Sequence, residues 1–245
     1  MPHRPLEDIQ SHAGGPGAGR GFFDVWSHVY DLPIVQWTTY HPIHHVVMRE
    51  LRQLASRRVL DIGCGTGQLT ARIAAELPFC RVTGCDFSRG MLHQATSRSR
   101  RVQWVQGDAG SLPFCAGAFD AVVSTEAFHW FPDQDRALAE LFRVLAPDGH
   151  LLLALVNAPS SVVANAMHAG SRLMGEPFYW PTTRELGERI EHAGFSVLGR
   201  KRIFRLPGGL LLPPILTHAT RPSVSEGRRH SPRGWTPAST HRDLW

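Results

Sequence analysis

The chain has 245 residues, 42% hydrophobic and 19% charged, with a formal net charge of +5. That size and balance fit one α/β domain with a full core, and no apolar run approaches the ~20 residues needed to cross a bilayer. The positive charge invites a nucleic-acid partner, but part of it lies in the last stretch, where Arg228, Arg229, Arg233 and Arg242 outweigh Glu226 and Asp243, and no nucleic-acid-binding module is recognisable.

Met1 to Arg20 is polar and glycine-rich without the apolar core of a signal peptide, so residues 1–20 are expected to be a disordered tail. Residues 22–55 read as helical and aromatic, carrying Phe22, Phe23, Trp26, Tyr30, Trp37 and Tyr40, with Pro33 and Pro42 breaking the run. At its end, Tyr40-His41-x-x-His44-His45 spaces three imidazoles so that they could share one helical face. No acid or thiol adjoins them, so no metal is expected there. A lid over a cleft, with Tyr40 or His44 touching substrate, competes with a packed or exposed helix face.

The next segment is the most informative. Val59-Leu60-Asp61-Ile62 is a short aliphatic strand that runs into Gly63-Cys64-Gly65-Thr66-Gly67-Gln68, and an amphipathic helix leaves the turn. Glycines at 63, 65 and 67 permit positive φ and close approach of backbone to a ligand. A dinucleotide fingerprint wants a further glycine where Gln68 stands, and a phosphate loop wants Gly-Lys-Ser/Thr; neither is present. The turn suits a ligand without a pyrophosphate but with a carboxylate to set against backbone N–H groups and a helix N-terminus.

Strand and helix patterns then alternate: strands at 58–62, 81–86, 102–106, 119–124 and 150–156, and helices at 67–77, 88–98 and 133–145. The strands are nearly continuously apolar, as in a sheet covered on both faces, which predicts a doubly wound, three-layer αβα arrangement. Helices follow at 160–174 and 183–193, the second closing at Gly194, and extended segments at 195–205 and 215–220 are separated by Pro207-Gly208-Gly209 and Pro213-Pro214. Proline is poorly tolerated inside a sheet, so Pro213 and Pro214 must precede the last strand. Residues 223–245 lack periodicity and read as a second disordered tail. Cysteines 64, 80, 85 and 115 show no C-x-x-C spacing and read as the reduced thiols of a cytoplasmic protein.

Five segments in register carry a resemblance to a known family. Asp61-x-Gly63-x-Gly65-x-Gly67 resembles motif I of the class I S-adenosylmethionine-dependent methyltransferases. Cys85-Asp86-Phe87-Ser88, Gly107-Asp108-Ala109 with Leu112-Pro113-Phe114, Phe119-Asp120-Ala121-Val122-Val123-Ser124 and Arg143-Val144-Leu145-Ala146-Pro147-Asp148-Gly149 follow in the family's order. The resemblance covers roughly residues 20–222 and is similar to the small-molecule members that modify quinones and natural products. It implies one domain over 21–222 with a helical lid at 21–55. It also implies a Rossmann-like seven-stranded sheet of order 3-2-1-4-5-7-6, counted along the chain, whose last hairpin is antiparallel.

The resemblance also implies S-adenosyl-L-methionine as cofactor and places it on Asp61, Gly63, Cys64, Gly65, Gly67, Asp86, Phe87, Met91, Asp108, Ala109 and Ser124. Asp86, at a strand end, would accept hydrogen bonds from ribose hydroxyls, against the alternative of a helix-capping acid. Phe87 and Met91 would flank the adenine or fill core. Asp108 would contact the adenine amino group with Ala109 alongside, or serve as a turn residue in Gly107-Asp108-Ala109-Gly110. Asp61 would organise the glycine turn or receive the ligand's ammonium. Trp26 and Tyr30 resemble the helix that covers the cofactor, or dock that helix on the sheet.

His129, in Glu126-Ala127-Phe128-His129-Trp130-Phe131, faces the cleft in this reading. It is either a general base of near-neutral pKa or a wall. No Asn/Asp-Pro-Pro-Tyr sequence follows the 119–124 strand, which argues against methylation of a nucleobase amino group. The expected partner is therefore a small hydrophobic or aromatic acceptor taking a methyl on oxygen or carbon, with no specific nucleic acid and no metal. A catalytically silent S-adenosylmethionine-binding scaffold or sensor is the alternative, and a nicotinamide oxidoreductase suffers from Gln68.

Overall fold

Apolar strands without alternation require helices on both sides, and the chain supplies them. A computed structural model describes residues 40–173, 178–203 and 213–223. In order these form α1 His41–Leu54, β1 Arg58–Ile62, α2 Gln68–Glu76, β2 Arg81–Asp86, α3 Arg89–Arg98, β3 Val102–Gln106 and β4 Phe119–Thr125. A 3₁₀ turn at Phe128–Trp130 leads to α4 Gln134–Val144, β5 Leu145–Leu155, α5 Ser161–Leu173, α6 Thr183–His192, β6 Ser196–Arg202 and β7 Ile215–Thr220. No helix among the described residues is long and apolar enough to cross a membrane.

The strands make one sheet of order β3-β2-β1-β4-β5-β7-β6, as expected, parallel except for β7 against β5 and β6. One face packs Val59, Val82, Ala121, Val123 and Leu152 under α1 and α2. The other packs Leu60, Ile62, Val122, Leu151 and Leu153 under α4 and α6. Alternation along β1 and β4 thus divides neighbouring residues between two cores.

Local chemistry sets the element ends. Ser88 and Asp133 cap α3 and α4 through bonds from Met91 N and Arg136 N, and Thr182 with Glu185 closes a capping box on α6. Gly194, at φ 97°, ends that helix as expected. Pro213 and Pro214 lie just before β7. Strand β5 begins at Leu145 rather than 150. Leu145 already pairs with Phe119, and the ladder then shifts to Ala121 against His150, with Asp148 at φ 60° in the intervening bulge. Strand β6 spans Ser196–Arg202, inside the 195–205 expected. The expected tails at 1–20 and 223–245, apart from Ser223, lie outside the described residues, as do Trp26 and Tyr30.

Trp104 locks the parallel half of the sheet to α2. Its indole donates to Ser99 O at 3.1 Å and lies where a Cβ at Gly67 or Gly84 would stand, 2.4 and 2.6 Å from its ring atoms. Gly84→Ala forces the indole off its seat, an overpacking cost of about 1–3 kcal/mol. Urea unfolding of Gly84→Ala, Trp104→Leu and the double variant checks this: the double variant should lose less than the two single losses added together.

Candidate functional site

The carboxyl ends of β1 and β2 meet at the glycine turn. Gly63, Gly65 and Gly67 all have positive φ (69°, 54° and 77°), so the chain reverses between β1 and α2 without a side-chain cap on the helix. Gly63 N and Cys64 N donate to Cys85 O at 2.8 and 3.2 Å. Gly65 N donates to Asp86 Oδ2 at 2.8 Å, and Ser88 N to Asp86 Oδ1 at 2.9 Å. One carboxylate therefore joins the glycine turn to the start of α3. Asp86 is only 7% exposed, and a carboxylate oxygen has the lone pairs to accept more than one bond.

Gly63 and Gly67 also answer to protein neighbours. A Cβ on Gly63 would stand 2.4 Å from Ala127 Cβ, and one on Gly67 would strike Trp104 and Ala95. Glycine at these two positions is demanded by packing and by the positive φ that the sequence already implied, before any ligand is considered.

Asp61 is buried on the α1–α2 side and accepts a hydrogen bond from Thr70 Oγ1 at 2.6 Å. Burial pushes its carboxyl up to about 7; the Thr70 bond opposes this and the charge of nearby Asp86 adds to it. Asp61 thus stays protonated up to about neutral pH beside the Asp86 carboxylate. The Cys64 thiol is driven well above its usual range by burial and then by Asp86, Asp61 and Cys85, so it stays protonated.

The remaining expected cofactor residues line the same end of the sheet. Phe87 is 37% exposed beside Asp86, its carbonyl held by Gln106 Nε2 at 2.9 Å, and Met91 is buried in α3. Asp108 is exposed and makes the tight turn of its alternative reading, receiving Gly110 N at 2.8 Å through Oδ1, while Ala109 is buried next to it. Ser124 departs from the expected set. Alternation places it on the α4–α6 face, opposite Asp61, with its Oγ buried and lacking a hydrogen-bond partner.

Beyond β4 the chain turns sharply. Glu126 takes φ 50°, a conformation few residues other than glycine adopt, and its N–H donates to Ala154 O at 2.8 Å. The 3₁₀ turn that follows carries His129, which is 5% exposed, packed on Trp130 and Trp180 with ring centroids 5.3 Å away in each case. Desolvation pushes its imidazole down to about 3. Of the two sequence readings of His129, base or wall, aromatic burial favours the wall: it leaves the imidazole neutral and a weak proton acceptor. Among the described residues its Nδ1 is buried without a partner, as are Trp180 Nε1, Asn157 Oδ1 and Gln134 Oε1. Asn157, Gln134 and Trp180 were not anticipated. They lie far apart in sequence, and a lone Trp or Asn between predicted elements gives no periodic signal.

The histidine cluster separates. His44 is buried on the inner face of α1, beside the Tyr40 ring at 6.4 Å, and is pushed down to about 4 by burial, then by Arg72 and His41. His41 and His45 are exposed, so the three imidazoles do not share a face. Among the described residues no three His, Cys, Asp or Glu side chains come together as metal ligands.

Comparison with known proteins agrees with this geometry. A family model described as a methyltransferase domain matches residues 60–153. A demethylmenaquinone methyltransferase from Mycolicibacterium gilvum is 32% identical over 195 residues, 71% of this chain and 81% of that protein. A second, from Thermus thermophilus, is 42% identical over 103 residues, 40% of this chain and 47% of that protein. The chain spans about half the length of the first curated relatives it matches. Burkholderia thailandensis 1,6-didemethyltoxoflavin-N1-methyltransferase, solved with 1,6-didemethyltoxoflavin and S-adenosylhomocysteine bound, superposes with a TM-score of 0.65 at 21% identity. That match covers 88% of this chain and 94% of that chain, and it is a likeness of fold.

The raised carboxyl of Asp61 has a consequence for stability. The unfolded chain releases this proton near pH 4, whereas the native chain keeps it until about pH 7. In that window the native state binds the extra proton, so this group's contribution to stability falls as pH rises from 4 to 7 and is level above. Asp61→Asn retains an oxygen for Thr70 and lacks the titration. Its stability relative to wild type, followed by urea unfolding, should therefore rise between pH 4 and 7; a flat difference rules out the buried proton.

Proposed function

Because the chain belongs to the S-adenosylmethionine-dependent methyltransferase family, we propose that it transfers a methyl group from S-adenosyl-L-methionine to a small hydrophobic or aromatic acceptor, on oxygen or carbon. One observation carries the reading: the Asp86 carboxylate, tied to Gly65 N and Ser88 N, stands beside buried Asp61 at the end of the sheet where open α/β folds bind ligands. Two acids against a glycine turn suit a cationic ligand that also carries a diol and a carboxylate. The donor set therefore fits this cofactor better than a pyrophosphate-bearing dinucleotide.

In this reading Asp86 holds the ribose diol, and the turn at Gly63–Gly65 receives the amino-acid end, with Asp61 facing its ammonium. Phe87 and Met91 bound the adenine, and Asp108 with Ala109 stands at its edge. When bound, the cofactor supplies a methyl on a sulfonium, whose neutral thioether is an excellent leaving group. The protein's task is then alignment of the acceptor, which suits a scaffold without a strong base. His129, held neutral, serves as a hydrogen-bonding wall rather than as a base that removes a proton. A phenolic oxygen or an activated carbon is the acceptor this asks for, its proton passing to solvent as the methyl arrives, because His129 is too weak a base to take it. Cysteines that make no disulfide suit a cytoplasmic, metabolic setting.

A second reading, a binding protein that senses the cofactor without turning it over, is favoured by that same weak basicity. Calorimetric titration with S-adenosylhomocysteine tests the shared premise. Asp86→Asn keeps the shape but removes the charge and one acceptor oxygen, so affinity should fall about tenfold or more, at roughly 1.5–3 kcal/mol for a charge-assisted bond. NAD should bind more weakly than S-adenosylhomocysteine; the reverse order contradicts the proposal.

A further inference from the structure

We propose that the segment Phe178–Thr182 is an acceptor-recognition strap that, with His129, binds a neutral planar molecule carrying a hydrogen-bond donor next to an acceptor. This rests on the methyltransferase reading and names the ligand chemistry of its second subsite.

The strap crosses the carboxyl ends of β4 and β5 and is pinned at both ends. Tyr179 N donates to His129 O at 2.9 Å, and Gln134 Nε2 donates to Tyr179 O at 2.8 Å. At the far end Ala158 N and Asn157 Nδ2 both donate to Pro181 O at 3.1 Å, and Thr182 enters the capping box of α6. Between these anchors Trp180 is held against His129. Four rings close a circuit of contacts: His129 on Trp130 at 5.3 Å, Trp130 on Phe178 at 5.2 Å, Phe178 on Trp180 at 5.3 Å, and Trp180 back on His129 at 5.3 Å. Such a wall matches the flat face of an aromatic ligand.

Two polar atoms in this apolar circuit have no partner among the described residues. Trp180 Nε1 can only donate, and His129 Nδ1 accepts a bond when the imidazole is neutral with its proton on Nε2; both are shut from water. An unmet buried polar group costs about 1–3 kcal/mol, and native structures keep few of them without a reason. Here two such groups of opposite polarity stand on adjacent rings, at the same end of the sheet as Asp61 and Asp86. Burial keeps His129 neutral, and none of the four rings carries a charge, so an anionic carboxylate would be desolvated without a counter-ion. A vicinal pair, a hydroxyl giving to His129 and a neighbouring oxygen taking from Trp180, completes both atoms.

The test uses protein saturated with S-adenosylhomocysteine and titrates 2,3-dihydroxynaphthalene, naphthalene and 2-naphthoate by calorimetry. The diol should bind at least tenfold more tightly than the naphthoate. Trp180→Phe, which keeps a six-membered aromatic ring but removes the pyrrole ring with its N–H donor, and His129→Phe should each weaken the diol about three- to tenfold. Naphthalene should weaken less than the diol in each variant, and S-adenosylhomocysteine affinity should not move. Diol binding that is absent, weaker than naphthoate binding, or indifferent to both substitutions overturns the inference and leaves the two atoms to a trapped water. Failure of S-adenosylhomocysteine to bind the wild-type protein overturns instead the function on which the inference rests.

Discussion

The glycine turn between β1 and α2 depends on one carboxylate accepting two backbone bonds. Asp86 reaches from the end of β2 to Gly65 N in the turn after β1 and to Ser88 N at the start of α3. A charge-assisted bond to a backbone N–H is stronger than a neutral one, and two of them fix a loop that glycine would otherwise leave free. Burial raises the carboxyl of neighbouring Asp61, and the Asp86 charge adds to that rise, so the anchor of the loop also bears on the potential inside it. Shape and charge at the site have a common source.

The cleft has two unlike halves because strand alternation sorts its residues. Asp61 goes to the α1–α2 face with Val59 and Val123, while Ser124 and the 3₁₀ turn belong to the α4–α6 side with Val122 and Phe128. The first half is acidic and built from backbone turns. The second is aromatic, and several of its buried polar atoms have no partner among the described residues. A charged ligand end and a flat neutral ligand would each find one half suited to it, and the ends of β1 and β4, adjacent in the sheet, bring the halves together.

Much of this was legible in the residues. Short β-rich runs bounded by turn residues located β1, β2, β3 and β7 to the residue. The strand order came from the family resemblance rather than from any pattern within a strand. Less local features escaped. The early start of β5 depends on a bulge opposite Phe119, which pairing creates and periodicity cannot foresee. The strap over His129 depends on bonds between residues about 20 to 50 positions apart. The basicity of His129 also turned on its surroundings: the sequence offers an ordinary imidazole, and only the packing of Trp130 and Trp180 removes its proton affinity. Gly63 and Gly67 were correctly taken as obligatory turn residues, but the neighbours that make them so, Ala127 and Trp104, lie beyond any local window.

The most direct measurement is a crystal structure of the protein grown with S-adenosylhomocysteine. The account predicts the ribose hydroxyls on the Asp86 carboxylate, the amino-acid end over the Gly63–Gly65 turn, and the sulfur directed toward the aromatic half that His129 and Trp180 line. Ligand density elsewhere, or a nucleoside turned so that its ribose leaves Asp86 untouched, would contradict it.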